Sequence, residues 1–301
     1  MRKLSALVKR NCKLFFKDKG MFFTSLITPV ILLVLYVTFL GNVYRDAFAS
    51  SVPEGFAVDG KLIDALVGGQ LISSILAVCC VTVAFCSNLL MVQDKISGAK
   101  HDLTMAPVKR STLAMSYFVS TALVTLIICG AALVICFLYL AGAGWYLTAS
   151  DVLLICLDVV LLVLFGTALS SLVNAPLSTS GQGSAVGTIV SAGYGFICGA
   201  YMPISNFGEG LQTVLSFLPG TYGTSLLRNH ALAGTYAEMT AQGFPAEAVE
   251  GIRDSIDCNL YFFGSKVEIG TMYLILGVSA AALIGLYVLY NVLRGKRKGN
   301  L

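Results

Sequence analysis

Six stretches of this chain, residues 22–40, 68–92, 113–141, 151–173, 183–202 and 269–293, run for 19 to 29 residues with almost no charge. At about 1.5 Å per helical residue, each is long enough to cross a hydrocarbon layer of roughly 30 Å. A water-soluble fold has no use for so many uncharged runs. Only 12% of the residues are charged and the mean hydropathy is +0.82, whereas soluble domains carry roughly 25% charge. The expected fold is an all-α polytopic membrane protein with six transmembrane helices.

The polar remainder places these runs. Residues 93–112, QDKISGAKHDLTMAPVKRST, form a segment too charged to lie in lipid, with Asp94, Lys95, Lys100, His101, Asp102, Lys109 and Arg110. Ahead of the first run, residues 4–19 repeat Leu4, Leu7, Val8, Cys12 and Phe15 at helical spacing, with Lys3, Lys9, Arg10, Lys13 and Lys17 on the other face. That pattern suits a helix lying in the headgroup region. The start lacks the apolar core and small-residue cleavage site of a secretory leader. Gly20 permits a bend into the first run, and Pro29 is expected to kink it.

Lysine and arginine give the orientation. Apart from Arg45, Lys61, Arg228, Arg253 and Lys266, every basic residue falls in the start, in 93–112 or in the tail at Arg294, Lys296, Arg297 and Lys298. The positive-inside rule makes those three regions cytoplasmic, with both termini on that side. Residues 41–67 then form a short external loop and 203–268 a long acidic external segment. Within it, Phe207–Leu218, a stretch through Arg228, and Pro245–Asp257 read as short helices, with Tyr261, Phe262 and Phe263 as interfacial anchors. Seven of the nine cysteines lie in apolar runs, without metal-ligand or disulfide spacing, and read as small buried hydrophobes.

This layout resembles the permease subunits of type-2 ABC exporters. The likeness rests on the basic amphipathic start, the six runs, the charged loop after the second and the helical excursion before the last. Locally it rests on Asp94, Gly98 and Ala106-Pro107-Val108-Lys109-Arg110, on Met202-Pro203-Ile204-Ser205, and on Leu218-Pro219-Gly220-Thr221-Tyr222 with Arg228. Asp94 stands where those permeases usually have glutamate, and Lys100 where an acidic or polar residue is common. The resemblance implies a single transmembrane domain over residues 1–301 that dimerises, as homodimer or heterodimer, in a bacterial plasma membrane. It also implies a separate ABC ATPase subunit that binds ATP and Mg. The chain itself has no G-x-x-x-x-G-K-[ST] phosphate loop, so no cofactor is expected in it.

Four sets of residues stand out. Gln93, Asp94, Lys95, Gly98, Lys100, Asp102, Pro107 and Arg110 are candidates for coupling to the ATPase; the bland reading is a solvated loop that fixes topology. Gly183, Gly187, Ser191, Gly195 and Gly199 place a small residue at every fourth position, as a dimer seam or as packing within one subunit, and Gly277, Ala281 and Gly285 echo it. Asp158 is the one charge well inside a run, on nearly the same face as Asp151, and it either lines a pathway or is paired inside the bundle. Asn88 adds polarity that is a second pathway candidate or an interhelical hydrogen bond. His101 and His230 lie far apart with no nucleophile constellation, so neither catalysis nor a metal site is expected, and no nucleic-acid partner.

The function expected is ATP-driven export of an amphipathic, drug-like or lipid-like substrate by alternating access, including multidrug efflux. An ion- or proton-coupled secondary transporter using Asp158, and a force-relaying membrane subunit without transport, remain as alternatives.

Overall fold

The computed structural model describes residues 2–50, 59–105 and 108–297. Its order is α1 Arg2–Lys17, α2 Lys19–Leu35, a π-helical turn Tyr36–Leu40, α3 Gly41–Ser50, α4 Gly60–Ile96, α5 Ala99–Met105, α6 Arg110–Ala143, α7 Ala149–Asn174, α8 Ser180–Ile197, α9 Glu209–Ser216, α10 Pro219–Ala241, α11 Ala246–Ser255, a two-stranded hairpin and α12 Ile269–Arg297. Helix starts are written in the sequence as caps. Asp18 accepts from Met21 N at 3.0 Å, so the break between α1 and α2 falls there rather than at Gly20. Thr148 with Asp151 opens α7, and Thr179 with Gln182 opens α8, as capping boxes. Asp151 thus caps the start of α7.

α2 continues as helix through Pro29, and a π turn then joins it to α3 in one continuous helix. α4 is the axis of the bundle: 94% of its most apolar window is buried, against 28% for α2–α3 and 22% for α12. Glycines let neighbours close on it. A Cβ at Gly166 of α7 would lie 2.8 Å from the Cys80 carbonyl, and one at Gly69 would collide with Leu232 of α10. Where lipid removes the hydrophobic term between helices, such close packing is what holds them together.

By length and composition, five of the described helices can cross a membrane: the continuous α2–α3, α4, α6, α7 and α12. The run expected at 183–202 is not among them. α8 stops at Ile197 after 18 residues, about 27 Å. Its end is a Schellman turn, in which Ala200 N bonds the Gly195 carbonyl at 2.8 Å and Gly199 N the Phe196 carbonyl at 3.2 Å. Gly199 adopts φ +73° there, so it ends the helix instead of continuing its small-residue face.

Part of the segment assigned to the exterior is core. α10 extends to Ala241, far beyond the short helix expected, and packs between α4, α7 and α12. It starts beside Tyr194 of α8, passes Leu162 of α7, and at Gly234 presses on the carbonyl of Tyr146 in the α6–α7 loop. α8 and α10 therefore run end to end in one direction, with the 198–218 segment as the break between them. At the outer edge, Tyr261–Phe262 pairs with Ser265–Lys266 through a turn at Phe263 and Gly264, both at positive φ. Phe217, Phe262 and Phe263 meet there edge to face at 4.8 to 6.1 Å.

Candidate functional site

The charged segment 93–112 is not a free loop. Gln93–Ile96 complete the last turn of α4, Gly98 turns the chain with φ +82°, and α5 follows. Gln93 is exposed, but Asp94 is 5% exposed and faces inward. Both its oxygens hold the Arg10 guanidinium, at 2.7 and 3.0 Å, and Tyr117 donates to it at 2.6 Å. The bond to Asp94 holds Arg10 above its ordinary pKa. Arg10 thus leaves the lysine face of α1 on which its spacing put it, and binds α1 to α4 and α6. Lys95 also turns inward, donating to the carbonyls of Asn174, Ala175 and Leu177 at 3.2, 2.7 and 2.6 Å, where it complements the negative end of α7.

Asp94 and Lys95 therefore join parts of this chain, Asp94 buried and Lys95 half-buried. No residue of α5 is buried: Asp102 is exposed in its first turn, and Met105, 77% exposed, ends it. Lys100 is half-buried and Arg110 exposed at the start of α6. Pro107 lies outside the described residues.

Asn88 and Asp158 both belong to the interior. Asn88 donates to Ser170 and Ser171 at 3.1 and 2.8 Å, an interhelical bond between α4 and α7. Asp158 is 0% exposed, with one oxygen 2.6 Å from His230 Nδ1 and the other accepting from Tyr273 at 2.6 Å. It locks α7, α10 and α12 together. His230 and Tyr273 were missed because their partner lies on another helix.

A second interior charge pair was legible only in half. Arg228, 1% exposed, donates to the carbonyls of Gly199 and Ile256 and lies 3.3 Å from Asp257. Asp257 accepts from the backbone N–H groups of Ile204 and Ser205. The pair supplies partners to backbone groups at the α8–α10 break, which burial would otherwise leave unsatisfied. Spacing put Asp257 in an acidic surface helix; in fact α11 ends at Ser255, and Asp257 turns inward at φ +57°.

The glycine face of α8 divides. A Cβ on Gly183 or Gly187 would touch Leu89 of α4, and Gly195 is covered by the Tyr201 ring, so these residues pack within the subunit. Gly183, Gly187 and Ser191 also line an apolar groove of about 980 Å³ between α8, α4 and α2, with Ile27 and Ile31 opposite. A Cβ on Gly277 or Gly285 of α12 would meet nothing within 4 Å among the described residues.

The described residues thus combine a basic start bound to the bundle, an exposed short helix after α4 and a broken helix before α12. The sequence model of the ABC-2 type transporter family matches residues 2–231. The chain belongs to that family. A search among curated proteins finds nothing that matches. As an ABC-2 permease the chain is a multi-pass membrane component of transport and not itself the catalyst. The match runs from α1 into the middle of α10, so it covers Arg10, Asp94, α5, Asp158 and Arg228.

Proposed function

We propose that this permease works with a separate ABC ATPase that docks on α5 and the exposed face of α1, and that motor closure tilts the bundle to export an amphipathic or lipid-like substrate. One observation carries the reading: α5, with no buried residue, hangs by the Gly98 turn directly from α4, the most buried helix. A push on α5 reaches the axis of the bundle without passing through a flexible linker, which is what rigid-body alternating access needs.

In this reading the broken α8–α10 unit makes the sixth crossing, and both termini lie in the cytoplasm. α1 lies at the membrane surface, since its lysines are exposed while Phe15 is buried. The groove along α2, α4 and α8 faces a second permease and, with it, encloses the cargo. Its lining is mainly apolar, with Thr24, Thr28 and Ser191 as hydrogen-bonding groups, and this suits an amphipathic molecule.

The test is co-purification of the ATPase from native membranes with tagged full-length chain. Met105→Glu together with Asp102→Arg changes only exposed residues of α5, and is expected to lose the ATPase while the permease stays folded. Retention of the ATPase by that variant in a crosslinked preparation overturns the docking site.

A further inference from the structure

Thr24 and Thr28 of α2, and Ser184, Thr188 and Ser191 of α8, line the groove between those two helices. Their spacing along the chain keeps each set on one face of its helix. A hydroxyl inside an apolar helix commonly bonds back to a carbonyl three or four residues earlier. Ser25 does so to Phe22 and Thr38 to Val34, each at 2.7 Å. None of the five groove hydroxyls makes a hydrogen bond to another described residue, not even that of Thr28, which is only 5% exposed.

α2 and α8 run the same way along the groove. α2 sets out from the end of α4 that Asp94 ties to Arg10, and just past it a Cβ on Gly41 would lie 4.0 Å from Val67, near the start of α4. A Cβ on Gly183, at the start of α8, would lie 3.7 Å from Val92, near the end of α4. The hydroxyls therefore gather in the half of the groove nearer the end of α4. Beyond them the walls turn apolar, with Ile31, Leu35 and Leu40 on one side and Phe196 on the other. No charged residue lines the groove among the described residues. A wall without charge offers an ion no partner, whereas unspent hydroxyls offer a neutral group both donors and acceptors.

We propose that the groove binds an uncharged amphiphile, with a head of hydroxyl, ester or amide groups seated among these five hydroxyls and its chain lying along α2 and α8 toward the break after Ile197. The inference rests on the export reading, which puts the cargo in this groove, and adds the class of the cargo and its direction.

The experiment uses the full-length chain in phosphatidylcholine nanodiscs. One probe is a monoacylglycerol with a photoreactive diazirine at the end of its chain, and the other an alkyltrimethylammonium with the same chain and label. Labelled positions and half-saturating concentrations are read by mass spectrometry. The monoacylglycerol is expected to label α2 from Ile31 onward and α8 near Phe196, at lower concentration than the ammonium. Thr28→Val with Thr188→Val is expected to raise that concentration by about tenfold. Thr28→Ser with Thr188→Ser keeps both hydroxyls and is expected to bind as wild type does. Ser25→Ala, whose hydroxyl is spent on the Phe22 carbonyl, is expected to change nothing. Should the valine pair unfold the chain, Ser184→Ala with Ser191→Ala, at positions that are not buried, reads the same loss.

Groove labelling by the monoacylglycerol that weakens in the hydroxyl-free variants and not in the serine pair supports the head site. Equal labelling of wild type and hydroxyl-free variants leaves the groove as a cargo path and overturns the head site. Stronger labelling by the ammonium overturns the neutral head, and chain-end label falling on residues 21–27 overturns its direction. Absence of both probes from α2 and α8, with a cross-link between two chains at Ile27→Cys, assigns the groove to a second copy, and the cargo reading then falls together with this one.

Discussion

Arg228 and Asp257 face each other at 3.3 Å inside the protein, and between them they bond four backbone groups: the carbonyls of Gly199 and Ile256 and the N–H groups of Ile204 and Ser205. A helix that breaks inside a bundle exposes backbone that lipid cannot satisfy, and here two side chains take over that role. Arg228→Gln or Asp257→Asn is expected to lower unfolding stability by about 3–5 kcal/mol, because each leaves a buried charge unpaired. The double variant is expected to cost less than the sum of the two. Denaturant unfolding of the four proteins in detergent checks this, and additive losses would show that the two residues act independently.

Arg10 and Asp94 form a two-pronged bond between α1 and α4, with Tyr117 completing the carboxylate. Asp94→Asn removes the charge that draws Arg10 inward, and is expected to release α1 at a cost on the order of 3 kcal/mol. The readout is hydrogen exchange over residues 2–17, which should speed up in Asp94→Asn and in Arg10→Gln alike. The reversed pair, Arg10→Asp with Asp94→Arg, is expected to restore part of the protection.

The Lys266 ammonium bonds Glu250 and holds its carboxyl below the usual range, tying the hairpin to α11. A carboxyl depressed on folding contributes stability above its unfolded value near 4.3, and loses it as pH falls through the lower folded value. Protection of hairpin amides, corrected for intrinsic exchange, is therefore expected to be full at neutral pH and to drop in that acid window. Glu250→Gln should lack that drop while already showing weaker protection at pH 7.

Gly166 and Gly277 look alike in sequence, each a glycine inside a long apolar helix. Gly166→Ala pushes a methyl to 2.8 Å from the Cys80 carbonyl of α4, while Gly277→Ala meets nothing within 4 Å. The first is expected to destabilise by about 1–3 kcal/mol through overpacking. The second is expected to stabilise slightly, through helix propensity. Thermal unfolding of both variants decides it, and equal shifts would contradict the packing described.

Run length was enough for the five helices that can cross a membrane, and periodicity for α1, because both are local properties. The resemblance read from the charged segment and the Met202 and Leu218 stretches agreed with the family match over residues 2–231. Two limits of local reading stand out. Hydropathy treats every residue of a run alike, so it carried the fifth run through Gly199, where the chain leaves the helix. It also sent α10 outside, because Arg228, Asn229 and His230 look wet on paper and are buried against partners from elsewhere in the chain.

Charge by itself therefore did not tell where the chain meets water. The lysines of α1 are exposed, as their spacing suggests. Asp94, Lys95, Asp158 and Asp257 each found a donor or acceptor on another helix, and only the tertiary structure decides that, because the free energy of burying a charge is set by what lies within bonding distance and not by its neighbours along the chain.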